Sequence, residues 1–155
     1  MSFIPISNTT ASTEAVQSTE VGVSHQLSPL VMNVRKKLLG EEHLDTLSSM
    51  MNLAFTYSKQ GRWDKAEQLE VQVVDMTKKL LGQEHPATLS SMGNLAITYF
   101  NQGKQNEAEQ LKFQVMDVRK KLLGEEHTDT LSSMGSLAIT YFSQEKLNKA
   151  EELQV

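Results

Sequence analysis

One pattern occurs three times in this chain at a spacing of 42 residues. Lys-Leu-Leu-Gly ends at Gly40, Gly82 and Gly124, a histidine follows at His43, His85 and His127, and Thr-Leu-Ser-Ser-Met opens at Thr46, Thr88 and Thr130. A period between about 20 and 50 residues marks an array in which one supersecondary unit stacks on its own copy. Such an array has no central pocket of the enzyme kind.

Each unit reads as two helices. In the second copy Pro86 stands where a first helical residue belongs, since its missing N–H is not needed there. Leu89, Met92, Leu95, Ala96 and Tyr99 then form an apolar stripe of helical period, ended at Gln102-Gly103. A second helix follows, with Ala108, Leu111, Val115, Met116 and the Leu122-Leu123 pair as its expected buried face. Lys120 and Lys121 fall in its last turn, where cations complement the helix dipole. The spacing predicts hairpins over 44–60 with 62–81, 86–102 with 104–123, and 128–144 with 146–155. Loops this short make neighbouring helices antiparallel. Ala54, Ala96 and Ala138 in the first helices, and Ala66, Ala108 and Ala150 in the second, are expected where helix axes cross closely. Ser91, beside Ala96's turn, is expected to be exposed.

The first 29 residues differ in kind. They carry many Ser and Thr, no Lys or Arg, and two acids, Glu14 and Glu20, which supply half of the net charge of −4. A segment of that composition cannot bury enough apolar surface to offset its ordering, so residues 1–29 are expected to be a disordered tail ahead of an array over 30–155. A short strand near Phe3–Ile6 is a lesser expectation. The chain has no cysteine, which excludes disulfides and thiolate metal sites. It shows neither a secretory signal nor an apolar run of the roughly 20 residues a membrane helix needs. The repeats, near −2 in sum, offer no electrostatic footprint for nucleic acid. A cytoplasmic protein bound neither to nucleic acid nor to membrane is expected.

The residues that could carry chemistry do not assemble into it. His43, His85 and His127 lie beside Glu42, Glu84 and Glu126, but metal ligands must converge within about 2 Å of one ion, and equivalent residues of stacked units are one repeat apart. They are expected to be loop histidines near helix starts. The serine pairs lack a base held beside them, the glycines occur singly at turns, and the Arg35-Lys36-Lys37 and Arg119-Lys120-Lys121 runs suit helix ends. No catalysis and no cofactor is expected.

The order Leu53-Ala54, Tyr57, Gly61, Trp63, Ala66 resembles the tetratricopeptide repeat. The longer unit, with Leu-Leu-Gly-Glu-Glu-His after the second helix, is similar to the 42-residue variety of kinesin light chains and of the C-terminal arms of some signalling ATPases. The resemblance covers about residues 30–155 and implies an all-α fold, a right-handed α-α superhelix (solenoid) of antiparallel helical hairpins whose first helices line a concave groove. It also implies that Asn52 and Asn94, with Ser136 in the same place, face that groove and hold the backbone of an extended peptide, one amide offering both a donor and an acceptor. Helical spacing adds Ser48, Phe55 and Lys59 in the first copy, Ser90, Ile97 and Asn101 in the second, and Ser132, Ile139 and Ser143 in the third. Lys59 is the one cation expected at the groove edge, which argues against carboxylate capture of the kind found in the chaperone-binding branch of the family.

Three departures from the family pattern carry expectations of their own. Where an aromatic usually follows the second-helix alanine, this chain has Glu70, Lys112 and Gln154, predicting looser packing between hairpins. Glu145 replaces the turn glycine of the third copy, predicting its weakest turn. The pattern is cut within a repeat at both ends, with Ser28-Pro29 opening a helix to about Leu39, so a fragment of a longer array, a truncated product or a piece that pairs end to end is expected. The leading expectation is therefore a non-enzymatic interaction module for a protein or peptide partner. The alternative is a structural piece of a larger scaffold or receptor-like array, working by end-to-end stacking or self-association through uncapped repeat ends.

Overall fold

A computed structural model describes residues 27–145, together with 149 and 153. Among the described residues there are six helices and no strand: α1 over residues 27–39, α2 Leu44–Lys59, α3 Trp63–Leu81, α4 Pro86–Asn101, α5 Gln105–Leu123 and α6 Thr128–Ser143. The expected limits of the hairpin helices that fall on described residues hold within a residue, whereas the first helix already includes Leu27 and Ser28, so Ser28 is not its N-cap. The tail before residue 27 and nearly all of the expected last helix, 146–155, lie outside the described residues, as does Ala150.

Local chemistry sets the helix ends. The histidines are caps rather than plain loop residues. His85 Nδ1 accepts from the backbone N–H of Ala87 at 3.1 Å, and Pro86 occupies the first helical position. His127 does the same for Asp129 at 3.1 Å, and His43 for Asp45 at 3.2 Å. Each such bond satisfies one of the donors a helix start leaves without an internal partner. Within the hairpins, Arg62 N–H bonds Tyr57 O and Lys104 N–H bonds Tyr99 O, each at 2.9 Å, across turns in which Gly61 and Gly103 take φ of 70° and 78°. Glu145 takes φ 60° at the third turn, the one described non-glycine residue with positive φ. That is the left-handed region, where a Cβ is penalised.

Contacts divide the chain into two compact units, Met1–Ser49 and Met50–Val155. In the first, Arg35 of α1 donates to Ser49 Oγ at 2.7 Å and to Asp45 O at 3.2 Å. Leu30, Val34 and Leu38 of α1 are exposed. In the second unit α3 packs on α4, α4 on α5, and α5 on α6. Its main core joins Val74, Leu89, Met92, Leu95 and Val115, flanked by Val71, Tyr99, Leu111 and Val118. Met116, Leu137 and Tyr141 form a second cluster with Met134 between α5 and α6. Burying a side chain the size of Met92 contributes about 1.5–3 kcal/mol. Ala54, Ala66, Ala96 and Ala108 are wholly buried, as helix crossings require.

Two expectations about burial fail. Leu122 and Leu123 are exposed. α5 has 19 residues against 16 in α4 and α6, so about 4.5 Å of it projects beyond the helices it packs on. Ser91 is buried at 3% exposure, its Oγ donating to Ala87 O at 2.8 Å. It lies four residues before Leu95, on the core stripe, and Ser90 is the exposed member of the pair.

Candidate functional site

The first helices present a polar stripe at spacings of four, three and four residues. In α4 it runs through Ser90, Asn94, Ile97 and Asn101, all exposed. In α2 Ser48, Asn52, Phe55 and Lys59 are exposed, and in α6 Ser132, Ile139 and Ser143 are, with Ser136 half-buried. Intrahelical bonds hold the register of these stripes: the Thr56 hydroxyl donates to Asn52 O at 3.0 Å and Ser143 Oγ to Thr140 O at 2.7 Å.

Between α4 and α6 these stripes border a cleft of about 240 Å³. Ser90, Asn94 and Ile97 line one wall, Ser132 and Ser136 the other, and Gly93 widens the opening. Five of the expected residues thus converge on one place. Asn101 instead borders a separate depression with Trp63, Asp64 and Lys104 near the hairpin turns. Phe55 is covered in part by its own helix neighbour, with Lys59 Nζ 5.1 Å from the ring centre.

The floor of the cleft is supplied by α5 and was not anticipated. Lys112, Val115 and Arg119 form it, so Lys59 is not the sole cation at the groove. Lys112 is buried to 8% exposure. Its Nζ donates to Thr140 Oγ1 at 2.8 Å and to Ser136 O at 3.2 Å, and stands 4.9 Å from the Phe100 ring centre. No carboxylate pairs with it among the described residues, and burial holds its amine below the ordinary lysine range. Arg119 donates to Ser133 Oγ at 2.7 Å and to Asp129 O at 3.3 Å. A sequence signal existed for Lys112. It precedes Thr140 by the same 28 residues that separate Glu70 from Thr98, and in both cases a long polar side chain can meet a threonine hydroxyl.

Glu70 occupies the position one repeat earlier. It is 4% exposed, its carboxylate is hydrogen-bonded to Thr98, and its Oε2 has no partner. Burial first, and the nearby charge of Glu67, push its carboxyl above the ordinary glutamate range against that hydrogen bond. Looser packing at positions 70 and 112 is therefore not what is seen, since both side chains are buried and bonded to the next first helix. Glu67 behaves oppositely. Burial alone would raise it, but hydrogen bonds from Lys104 at 2.7 Å and Gln102 at 2.8 Å outweigh burial and leave it below the ordinary range.

The cleft contains one hydrogen-bonding amide, several hydroxyls and two cations, a set suited to holding a polar chain. No group of three or more His, Asp or Glu that could hold a metal occurs among the described residues.

The sequence profile of the tetratricopeptide repeat matches residues 46–87, 88–129 and 130–155. Among solved structures, the kinesin light chain nearly identical TPR-like repeats of Podosopora anserina superpose with a TM-score of 0.80 at 34% identity over 88% of this chain. A Q17M form of those repeats gives the same values. This chain spans 65% of the length of either. BtubC (BKLC) from P. vanneervenii shares the fold, with a TM-score of 0.79 at 17% identity over 87% of this chain and 54% of its own. Among curated proteins none matches by sequence.

Proposed function

The chain belongs to the tetratricopeptide-repeat family, of the 42-residue, kinesin-light-chain-like type, and on that premise we propose that it is a non-enzymatic interaction module holding an extended peptide along the face presented by its first helices. The observation that carries this reading is the convergence of Ser90, Asn94, Ile97, Ser132 and Ser136 on one cleft. An asparagine amide there pairs with a peptide group whatever the side chain, giving affinity for backbone, while Ile97 and the exposed Phe55 and Ile139 offer apolar contacts that select side chains. The partner is a protein segment rather than nucleic acid or a bilayer. No described helix is long and apolar enough to cross a membrane.

The test uses a peptide selected from a random dodecapeptide library on the immobilised full chain. Replacing Asn52 and Asn94 together by Ala removes two neutral hydrogen-bonding groups at about 0.5–1.5 kcal/mol each. Binding of the selected peptide is expected to weaken roughly 5- to 150-fold. Unchanged affinity would place the peptide elsewhere and end this reading. A second reading, a scaffold that works by stacking, draws on the exposed Leu30, Val34 and Leu38 of α1 and requires concentration-dependent self-association by sedimentation, lost on changing these residues to Ser.

A further inference from the structure

Two apolar faces stand open although their counterparts in the other repeats are covered. Val31 of α1 is 42% exposed, against 5% or less for Val73 and Val115, one and two repeats further on. Leu131 of α6 is 52% exposed, against 4% or less for Leu89 and Leu47, one and two repeats back. Met134 is half-buried where Met92 and Met50 are buried.

Inside the array these positions cover one another. Val115 of α5 shares a core cluster with Leu89 and Met92 of α4, and Val118 packs against that cluster. The open faces carry nearly the same residues. Segment 31–40 matches segment 115–124 except for Asn33 in place of Asp117, and segment 130–134 is identical to segment 88–92, Thr-Leu-Ser-Ser-Met. The backbone register agrees as well. Arg35 reaches Ser49 Oγ at 2.7 Å and Asp45 O at 3.2 Å, just as Arg119 reaches Ser133 Oγ at 2.7 Å and Asp129 O at 3.3 Å. α1 is therefore a second helix, and among the described residues no first helix covers its Val31 face. On α6, Leu153 holds the place of Leu111 and packs against the cluster of Leu137 and Tyr141. The open part of α6 is its first half.

We propose that α1 of one copy docks on the first half of α6 of a second copy, with Val31 and Val34 over Leu131 and Met134. This rests on the stacking reading of the chain and adds to it the acceptor face and the register. The occupant is a second copy because the seat continues an interface that this sequence already makes with itself, α5 on α4. Covering exposed apolar side chains drives such contacts, and an open solenoid end is where they form. One short helix on another falls below the roughly 1,200 Å² of a stable interface, so the association is weak. The contact joins unlike faces, so each complex keeps one of each face open unless a ring closes.

The experiment is sedimentation equilibrium of the full chain. Its weight-average mass is expected to rise with concentration between about 10 μM and 1 mM, the range of weak association. A variant carrying Val31→Ser and Val34→Ser, and a second carrying Leu131→Ser, are each expected to stay monomeric alone. Mixed in equal amounts they are expected to form a complex of one copy of each, because each keeps the face that the other lacks. A mixture that stays monomeric overturns the pairing. Association that survives Leu131→Ser but not the α1 changes overturns this seat and leaves the stacking reading standing. A parent chain that is monomeric throughout overturns both. Where a serine variant fails to fold, cysteine replaces it, since the chain has none of its own. Copies with Val31→Cys and Leu131→Cys are expected to form a disulfide between unlike copies in preference to like ones, and equal amounts of the two kinds of pair overturn the seat.

Discussion

The junction of α3 with α4 and the junction of α5 with α6 are built from the same sequence frame and differ where it matters chemically. Both place an alanine from each helix at zero or near-zero exposure, Ala66 and Ala96 in one, Ala108 and Ala138 in the other. Both bring a long polar side chain under the next first helix to meet a threonine. In one that side chain is Glu70, in the other Lys112. The frame therefore fixes backbone geometry independently of the charge buried at the junction. Small apolar positions specify the fold, and the polar position between them is exchangeable.

The shared part can be broken first, with the largest effect. Ala96→Leu and Ala138→Leu are expected to destabilise the array by about 1–3 kcal/mol or more through overpacking, lowering the melting temperature by several degrees. Ser90→Leu, on the exposed stripe, is expected to change it by less than about 0.5 kcal/mol. Similar melting temperatures for all three would show that the alanines are not at crossings.

The turns sharpen the comparison at intermediate size. Gly61 and Gly103 close the first two hairpins, whereas Glu145 holds positive φ in the third. Glu145→Gly is expected to stabilise by up to about 1 kcal/mol, read from chemical denaturation, while Gly103→Ala is expected to destabilise by a similar amount.

The smallest effect separates the two junctions by pH. Glu70 binds its proton more tightly folded than unfolded. Its contribution is thus fully present below the ordinary glutamate value of 4.5 and is lost as pH rises through the higher folded value. Glu67, held low by Lys104, works in the opposite direction, its contribution being lost as pH falls. Lys112 releases its proton more readily folded, so stability rises with pH between that lowered value and the ordinary 10.5. Glu70→Gln is expected to remove its part of the acid-side slope, and Lys112→Met its part of the alkaline-side slope. A stability profile unchanged by either variant would mean that burial does not bias these groups.

Much of this was legible because periodicity reports backbone geometry well. The hairpin limits, the place of Pro86 at a helix start and the crossing alanines follow from spacing, whereas the outward facing of Asn52 and Asn94 was implied by the family resemblance. Ser91 shows a limit of reading by neighbourhood, since one residue along a helix turns a side chain by about 100° and separates a core serine from an exposed one. Leu122 and Leu123 show another. Apolar character announces burial only where a neighbour reaches, and α5 outruns its neighbours. Lys112 was read as a missing aromatic because its identity predicts solvent. Its aliphatic stem crosses the junction as a hydrophobe would, and only the position of Thr140 decides where the amine ends.

Thr98 and Thr140 matter for how such an array can diverge after a unit is copied. A hydroxyl both donates and accepts, so Thr98 donates to a carboxylate at one junction and its equivalent Thr140 accepts from an ammonium at the next. Inverting the charge at a junction then needs one substitution and no matching change in the partner helix. Duplicated units can acquire new preferences one residue at a time, with no intermediate in which a buried ion faces a mute or repelling neighbour.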